Sequence, residues 1–213
     1  MFKNRIEAGK KIAQKLISYK NNKNILVLGL PRGGIILANE IAKKINSQLD
    51  IIVPRKIGSP YDPEFAIGAI TEEGEAFLNK DIINNYNISK EYIDKEIIKE
   101  KKEAKRRLKI YRGNKKLIDY KDKIIILVDD GIATGSTILA AIFSIKKFKP
   151  KKIIVAVPVL SRDIINIIKK EVDKLIYLEA PFFFEAIGSF YEEFEQTSDK
   201  EVKGIMKNYI VLK

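Results

Sequence analysis

Short apolar runs recur along the chain at 25–29, 50–54, 124–128, 153–157 and 175–178, with helix-forming stretches interleaved. Runs such as Ile25-Leu26-Val27-Leu28-Gly29 and Ile124-Ile125-Ile126-Leu127-Val128 show no polar alternation. A strand of that kind needs cover on both faces, which a parallel sheet between helical layers supplies and a half-solvated antiparallel sheet does not. The reading is an α/β fold: three layers, α/β/α, around a central, mostly parallel sheet.

The intervening segments carry helical signals. Phe2, Ile6, Ile12, Ala13, Leu16 and Ile17 give an amphipathic helix near the N-terminus, and 33–45 reads as a second helix. Ser89 opens a long charged helix whose Ile93, Ile97, Ala104, Leu108 and Tyr111 keep one face; it should end near Gly113. Residues 136–149 form another, with Lys146, Lys147 and Lys149 in the last turn and Pro150 as the stop. Residues 164–170 follow, and Ser198-x-x-Glu201 is a capping box that opens the last helix. Residues 55–63 (RKIGSPYDP) read as a loop, and Phe65–Thr71 with Glu75–Leu78, split by Glu-Glu-Gly, as a β-hairpin. Hairpin and long helix interrupt the alternation. The expectation is a single domain over 1–213 with an insertion at about 60–115 and a small C-terminal hood at about 180–213.

Composition narrows the chemistry. Among 213 residues there is no Cys and no His. That excludes disulfides, thiolate nucleophiles, His-based triads and His- or Cys-ligated metals. Carboxylates, Lys and Arg, hydroxyls, backbone amides and a carboxylate-type ion such as Mg²⁺ remain. The net charge of +12 suits anionic partners. It is uneven: 90–123 holds 14 Lys/Arg against 7 acids, whereas 179–201 holds 7 acids against one Lys. A solvated charged face would read the same way. The start MFKNRIEAGKK has no apolar signal core and no run reaches the roughly 18 apolar residues of a membrane span. A cytoplasmic location, without membrane, is expected.

The most informative segment is Val128-Asp129-Asp130-Gly131-Ile132-Ala133-Thr134-Gly135-Ser136-Thr137. A buried strand delivers two adjacent carboxylates to its carboxyl end, where open α/β sheets bind ligands. A small-residue loop and a helix start follow. Gly131 and Gly135 let amides approach an anion, Thr134, Ser136 and Thr137 add hydroxyls, and the helix N-terminus adds partial positive charge. Two carboxylates repel a bare phosphate. They make sense when the ligand also presents hydroxyls, as a ribose 5′-phosphate does. The segment is neither a Walker loop nor a G-x-G-x-x-G fingerprint.

VDDGIATGST resembles the phosphoribosyl-pyrophosphate (PRPP) motif of type I phosphoribosyltransferases, and the resemblance covers about 25–200. It implies that Ala133, Thr134, Gly135, Ser136 and Thr137 bind the 5′-phosphate and that Asp129 and Asp130 hold the 2′- and 3′-hydroxyls as catalytic residues. Pro31-Arg32-Gly33-Gly34, after the first strand, is similar to the family's pyrophosphate loop, with Pro31, Arg32 and Gly33 as contacts and Pro31–Arg32 as the candidate for the family's cis peptide. In Pro54-Arg55-Lys56, Lys56 is the candidate catalytic contact to the leaving group, with Arg55 second; a surface Arg-Lys pair would read the same. Pro63-Glu64-Phe65-Ala66-Ile67-Gly68 and 181–191 resemble a subgroup of phosphoribosyltransferases with unassigned acceptor. Type I enzymes place a hood over the base there. Phe182, Phe183 and Tyr191 are the candidate rings, although core packing would use such rings too. Where 6-oxopurine enzymes carry an Asp in the cradle, this chain has Ala133, which argues against hypoxanthine or guanine transfer.

The resemblance implies an enzyme of nucleotide metabolism. It would move 5-phosphoribosyl from PRPP–Mg²⁺ to a nitrogenous acceptor, a nucleobase by class, and release pyrophosphate. Mg²⁺ would sit on ligand oxygens and water, with no direct protein ligand. The expected partners are PRPP, a base and a second copy of the chain. The rival is a PRPP- or nucleotide-sensing regulator that binds nucleic acid through 90–123; a third option is hydrolysis of a phosphoribosyl bond.

Overall fold

The computed structural model describes residues 1–63, 65–71, 76–113 and 118–209. The chain opens with α1 (Arg5–Lys15), β1 (Ile25–Gly29), α2 (Gly34–Ile45) and β2 (Gln48–Ile51). Next come β3 (Arg55–Gly58), β4 (Ala66–Ile70), β5 (Phe77–Leu78), α3 (Lys80–Asn85) and α4 (Lys90–Arg112). It closes with β6 (Ile124–Val128), α5 (Ser136–Lys146), β7 (Lys152–Val159), α6 (Arg162–Glu171), β8 (Lys174–Glu179) and α7 (Asp199–Asn208).

The main sheet has the order β2-β1-β6-β7-β8 and is parallel at every junction. Its pleat explains the unbroken apolar runs. Ile25, Val27, Ile126, Val128, Ile154 and Ala156 point to one face, under α1, α2 and α7. Leu26, Leu28, Ile125, Leu127, Ile153, Val155 and Val157 point to the other, under α5 and α6. Each such burial is worth about 1.5–3 kcal/mol, so a chain that leaves either face wet forfeits half of it. The result is three layers, α/β/α.

The insertion forms a second, antiparallel sheet, β3-β4-β5. Ile57, Ile67, Ile70, Ile88 and Ile93 make its own small core with α4. Phe77 stacks on Phe143 of α5, ring centroids 3.6 Å apart, and so ties the insertion to the main body. At its C-terminal end α4 is pinned to β2. Arg112 Nε donates to Asp50 Oδ1 at 3.0 Å and its Nη2 to Ile51 O at 2.9 Å, both side chains being buried. Along its length, Lys95–Glu91, Lys99–Glu96, Arg106–Glu103 and Arg107–Glu103 are paired within the helix. Among the described residues no helix is long and apolar enough to cross a membrane.

Several boundaries differ from the sequence expectation. The second strand is Gln48–Ile51 rather than 50–54, because Gln48–Ile51 is the stretch in register with Leu26–Gly29 and Pro54 lacks a ladder donor. Residues 55–58, expected as loop, are β3, paired with β4 through Arg55–Ile70 and Ile57–Gly68. The fifth helix stops at Lys146, three residues early: Lys149, which precedes Pro150, takes a left-handed φ of 52°. Ile6 and Ile17 are exposed, not core. The short α3 has no counterpart in the sequence expectation. The Glu72-Glu73-Gly74 turn, Glu75 and Glu64 lie outside the described residues.

Candidate active site

β1 and β6 are neighbours at the centre of the sheet, so the loops that leave their carboxyl ends lie side by side. Leu30 donates its N–H to Val128 O at 2.9 Å, which zips the start of one loop to the start of the other. Gly33 and Gly34 have no side chain because there is no room for one. A Cβ on Gly33 would collide with the Asp130 carboxylate and lie 2.7 Å from Arg5 Nε. One on Gly34 would lie 2.7 Å from Val128 O and 2.8 Å from Asp129 Cα. The two motifs thus form one structure. The Pro31–Arg32 peptide is cis.

The two acids are held differently. Asp129 Oδ1 accepts the N–H of Asp130 at 2.9 Å. Burial, and then the neighbouring Asp130 carboxylate, push the Asp129 carboxyl well above its ordinary range. Asp130 Oδ2 accepts from Arg5 Nε at 2.7 Å, and its backbone carbonyl accepts from the Tyr191 hydroxyl at 2.6 Å.

Asp129, Gly131 to Ile138 and Ile187 line one cavity of about 140 Å³. A liquid water takes up about 30 Å³, so a phosphate-sized group has space there. Gly135 has φ +79°, a left-handed conformation that turns the loop into α5. Leu139 donates to Gly135 O and so takes up the first carbonyl of the helix. Among the described residues, no backbone carbonyl accepts from the amides of Ala133, Thr134, Gly135 or Thr137. Thr134 Oγ1 and Ser136 Oγ lie 3.2 Å apart at the rim. The arrangement is an anion cradle beside a partly neutralised carboxylate pair, able to hold a molecule that carries both a phosphate and hydroxyls.

The other expected site residues fall around this centre. Arg32 reaches toward α7, its Nη1 3.9 Å from Asp199 Oδ1, and Asp199 accepts from the Tyr111 hydroxyl at 2.8 Å. Arg55 does not stand free at a loop base: it lies on β3 and its Nε donates to Glu100 on α4 at 2.6 Å. Lys56, next along β3, falls by the pleat on the opposite face of that strand. Phe182 and Phe183 are exposed beyond β8, with the Arg162 guanidinium 4.6 Å from the Phe182 ring centroid. Tyr191, the third candidate ring, takes the core-packing alternative. It is buried between Phe2 and Phe194, and its hydroxyl supports the Asp130 loop.

Sequence reasoning missed Arg5. Its signal was positional: Arg5 shares the inner face of α1 with Ala8 and Ile12, where a charge calls for a buried partner.

Over residues 2–188 the sequence matches the phosphoribosyl transferase domain family. A Mycobacterium tuberculosis protein, named provisionally as a phosphoribosyl transferase, is 38% identical over 202 residues, which is 95% of this chain and 45% of that protein. The chain therefore spans less than half the length of the curated relatives it matches. The crystal structure of TT1426 from Thermus thermophilus has a TM-score of 0.88 at 32% identity, with 98% of each chain covered. The AQ2163 protein of Aquifex aeolicus, at TM-score 0.52 and 13% identity over 95% of this chain and 82% of that one, shares the fold.

Proposed function

The chain belongs to the phosphoribosyl transferase domain family, and we propose that it transfers 5-phosphoribosyl from PRPP–Mg²⁺ to a nitrogenous acceptor, a nucleobase by class, with release of pyrophosphate. One observation carries this reading. The Pro31–Gly33 loop and the Asp129–Gly135 loop interlock, and beside them lies a cavity lined by a carboxylate and by amides that have no backbone acceptor among the described residues.

Transfer through an oxocarbenium-like transition state asks the protein to orient the sugar, face the developing positive charge and receive the leaving group. Ala133 to Thr137 bind the 5′-phosphate, mainly through backbone amides. Asp129 and Asp130 accept from the ribose hydroxyls and supply negative potential beside the ring. Asp130 uses Oδ1, since Oδ2 is taken by Arg5. Arg32, the Gly33 amide and Lys56 receive pyrophosphate. Arg55 would first have to leave Glu100. Phe182 and Phe183 are the rings open to an acceptor base. Mg²⁺ would be held by PRPP oxygens and water, with Asp129 and Asp130 facing it through water and no direct protein ligand, and would supply positive charge to offset that of the pyrophosphate. Insertion and hood belong, in this reading, to the same domain as the cradle.

The test is pyrophosphate release from PRPP–Mg²⁺ across a panel of nucleobases. Release should depend on the acceptor and vanish in Asp130→Asn, with circular dichroism unchanged. Absence of release with every base, together with salt-dependent nucleic-acid binding, would favour the regulator, although the paired Glu91, Glu96 and Glu103 already mask part of the charge on α4. PRPP consumption without any acceptor would indicate a hydrolase.

A further inference from the structure

Arg5 sits at the first turn of α1 and is 9% exposed. Its guanidinium is engaged on three sides. Nε donates to Asp130 Oδ2 at 2.7 Å, Nη1 donates to Glu195 O at 2.7 Å, and the planar group lies 3.8 Å from the centroid of the Phe194 ring. Buried ion pairs are weak contributors to stability, and an aliphatic residue would serve this face of α1, beside Ala8 and Ile12, at least as well. The charge needs another reason. Among the described residues, Asp130 is the carboxylate with which it makes an ion pair.

The surroundings are built for that pair. Gly33 lacks the Cβ that would strike it. Tyr191 holds the Asp130 carbonyl independently, so the backbone is fixed from one side and the carboxylate from the other. Asp129, by contrast, is oriented by its own loop. We propose that Arg5 is a positioning residue: by holding Oδ2 of Asp130 it fixes which carboxylate oxygen is presented to the ribose hydroxyls. This rests on the proposed function, and it assigns to α1 a part in sugar recognition without contact to the sugar. A rigid fork is needed because Asp130 and Glu195 O must be held at once; a lysine's single ammonium has no matching geometry.

Two probes separate this role from a merely structural one: PRPP–Mg²⁺, which carries the diol, and inorganic pyrophosphate with Mg²⁺, which does not. By calorimetry, Arg5→Ala should weaken PRPP–Mg²⁺ by about ten- to a hundredfold, the size of one charge-assisted contact set wrongly, while pyrophosphate affinity stays unchanged. Arg5→Lys should also lose PRPP affinity, and it carries the test should the alanine variant not fold. Guanidinium ion at concentrations too low to denature should restore PRPP binding to Arg5→Ala, and methylammonium should not. In an Asp130→Asn background, Arg5→Ala should add no further loss. Unchanged PRPP affinity, or an equal loss for both probes, would overturn the inference and leave Arg5 as a clamp between α1 and the hood. A wild-type protein that binds pyrophosphate but not PRPP would instead overturn the proposed function, and this inference with it.

Discussion

Gly33 has φ −62° and ψ −44°, an ordinary right-handed helical conformation. Backbone freedom is therefore not why it is glycine. In that conformation alanine should be favoured by about 0.5–1 kcal/mol, through a less disordered unfolded chain. Space decides the matter. The added methyl would meet the Asp130 carboxylate and lie 2.7 Å from Arg5 Nε. Asp130 cannot swing aside, since Arg5 holds its side chain and Tyr191 its carbonyl. Overpacking of this kind costs about 1–3 kcal/mol, and outright rupture of a buried ion pair about 3–5 kcal/mol. Gly33→Ala should thus destabilise the protein by about 1–3 kcal/mol in urea unfolding. In an Asp130→Ala background the obstruction is gone and Arg5 is free to yield. There the same substitution should be neutral or stabilising by up to about 1 kcal/mol, a coupling of about 2 kcal/mol between the sites. Calorimetry on Gly33→Ala should also show weakened PRPP–Mg²⁺ binding. The same unfolding penalty in both backgrounds would refute the reasoning.

Asp129 binds its proton more tightly in the folded protein than in the unfolded chain, so the stability it contributes is full below the ordinary carboxylate range and falls as pH rises through the raised value. Asp129→Asn should remove that fall: more stable than wild type near pH 7, no gain in acid, and no PRPP binding; equal urea midpoints at both pH values would contradict this. Arg112→Leu leaves Asp50 and Ile51 O buried without their partner and should cost about 3–5 kcal/mol. Burial already raises the Asp50 carboxyl and Arg112 opposes that rise, so the deficit should shrink as pH falls and Asp50 takes up a proton; a pH-independent loss under about 1 kcal/mol would count against it. Phe182→Ala and Phe183→Ala should leave stability within about 0.5 kcal/mol and raise the acceptor KM by the equivalent of about 1–3 kcal/mol for whichever ring stacks. An unchanged KM in both variants would remove them from acceptor binding.

The central strands were legible in the sequence because burial on both faces leaves an unmistakable run, as in 25–29 and 124–128. The turn after Val128 was legible because the loop chemistry depends on local residues alone. β3 was not. Its Arg55 and Lys56 read as polar, Pro54, Gly58 and Pro60 read as breakers, and only pairing with the distant 66–70 stretch makes it a strand. The aromatic run at 182–191 did not disclose the directions of its rings: Phe182 and Phe183 face outward while Tyr191 turns inward. Arg5 escaped because periodicity was sought among apolar residues, and its partner lies 125 positions away.

Asp130 is gripped by a helix that starts at residue 5 and by a hydroxyl at residue 191, and the strand-like pairing of Phe2 with Tyr191 joins those two regions. Closing so wide a loop is among the last entropic hurdles of folding and among the first gains to be surrendered on heating. On the proposed function, PRPP affinity should therefore fade while amide protons deep in β1 and β6 still resist exchange. A substitution at Phe2 therefore reaches the Asp130 loop through Tyr191, far from it in sequence.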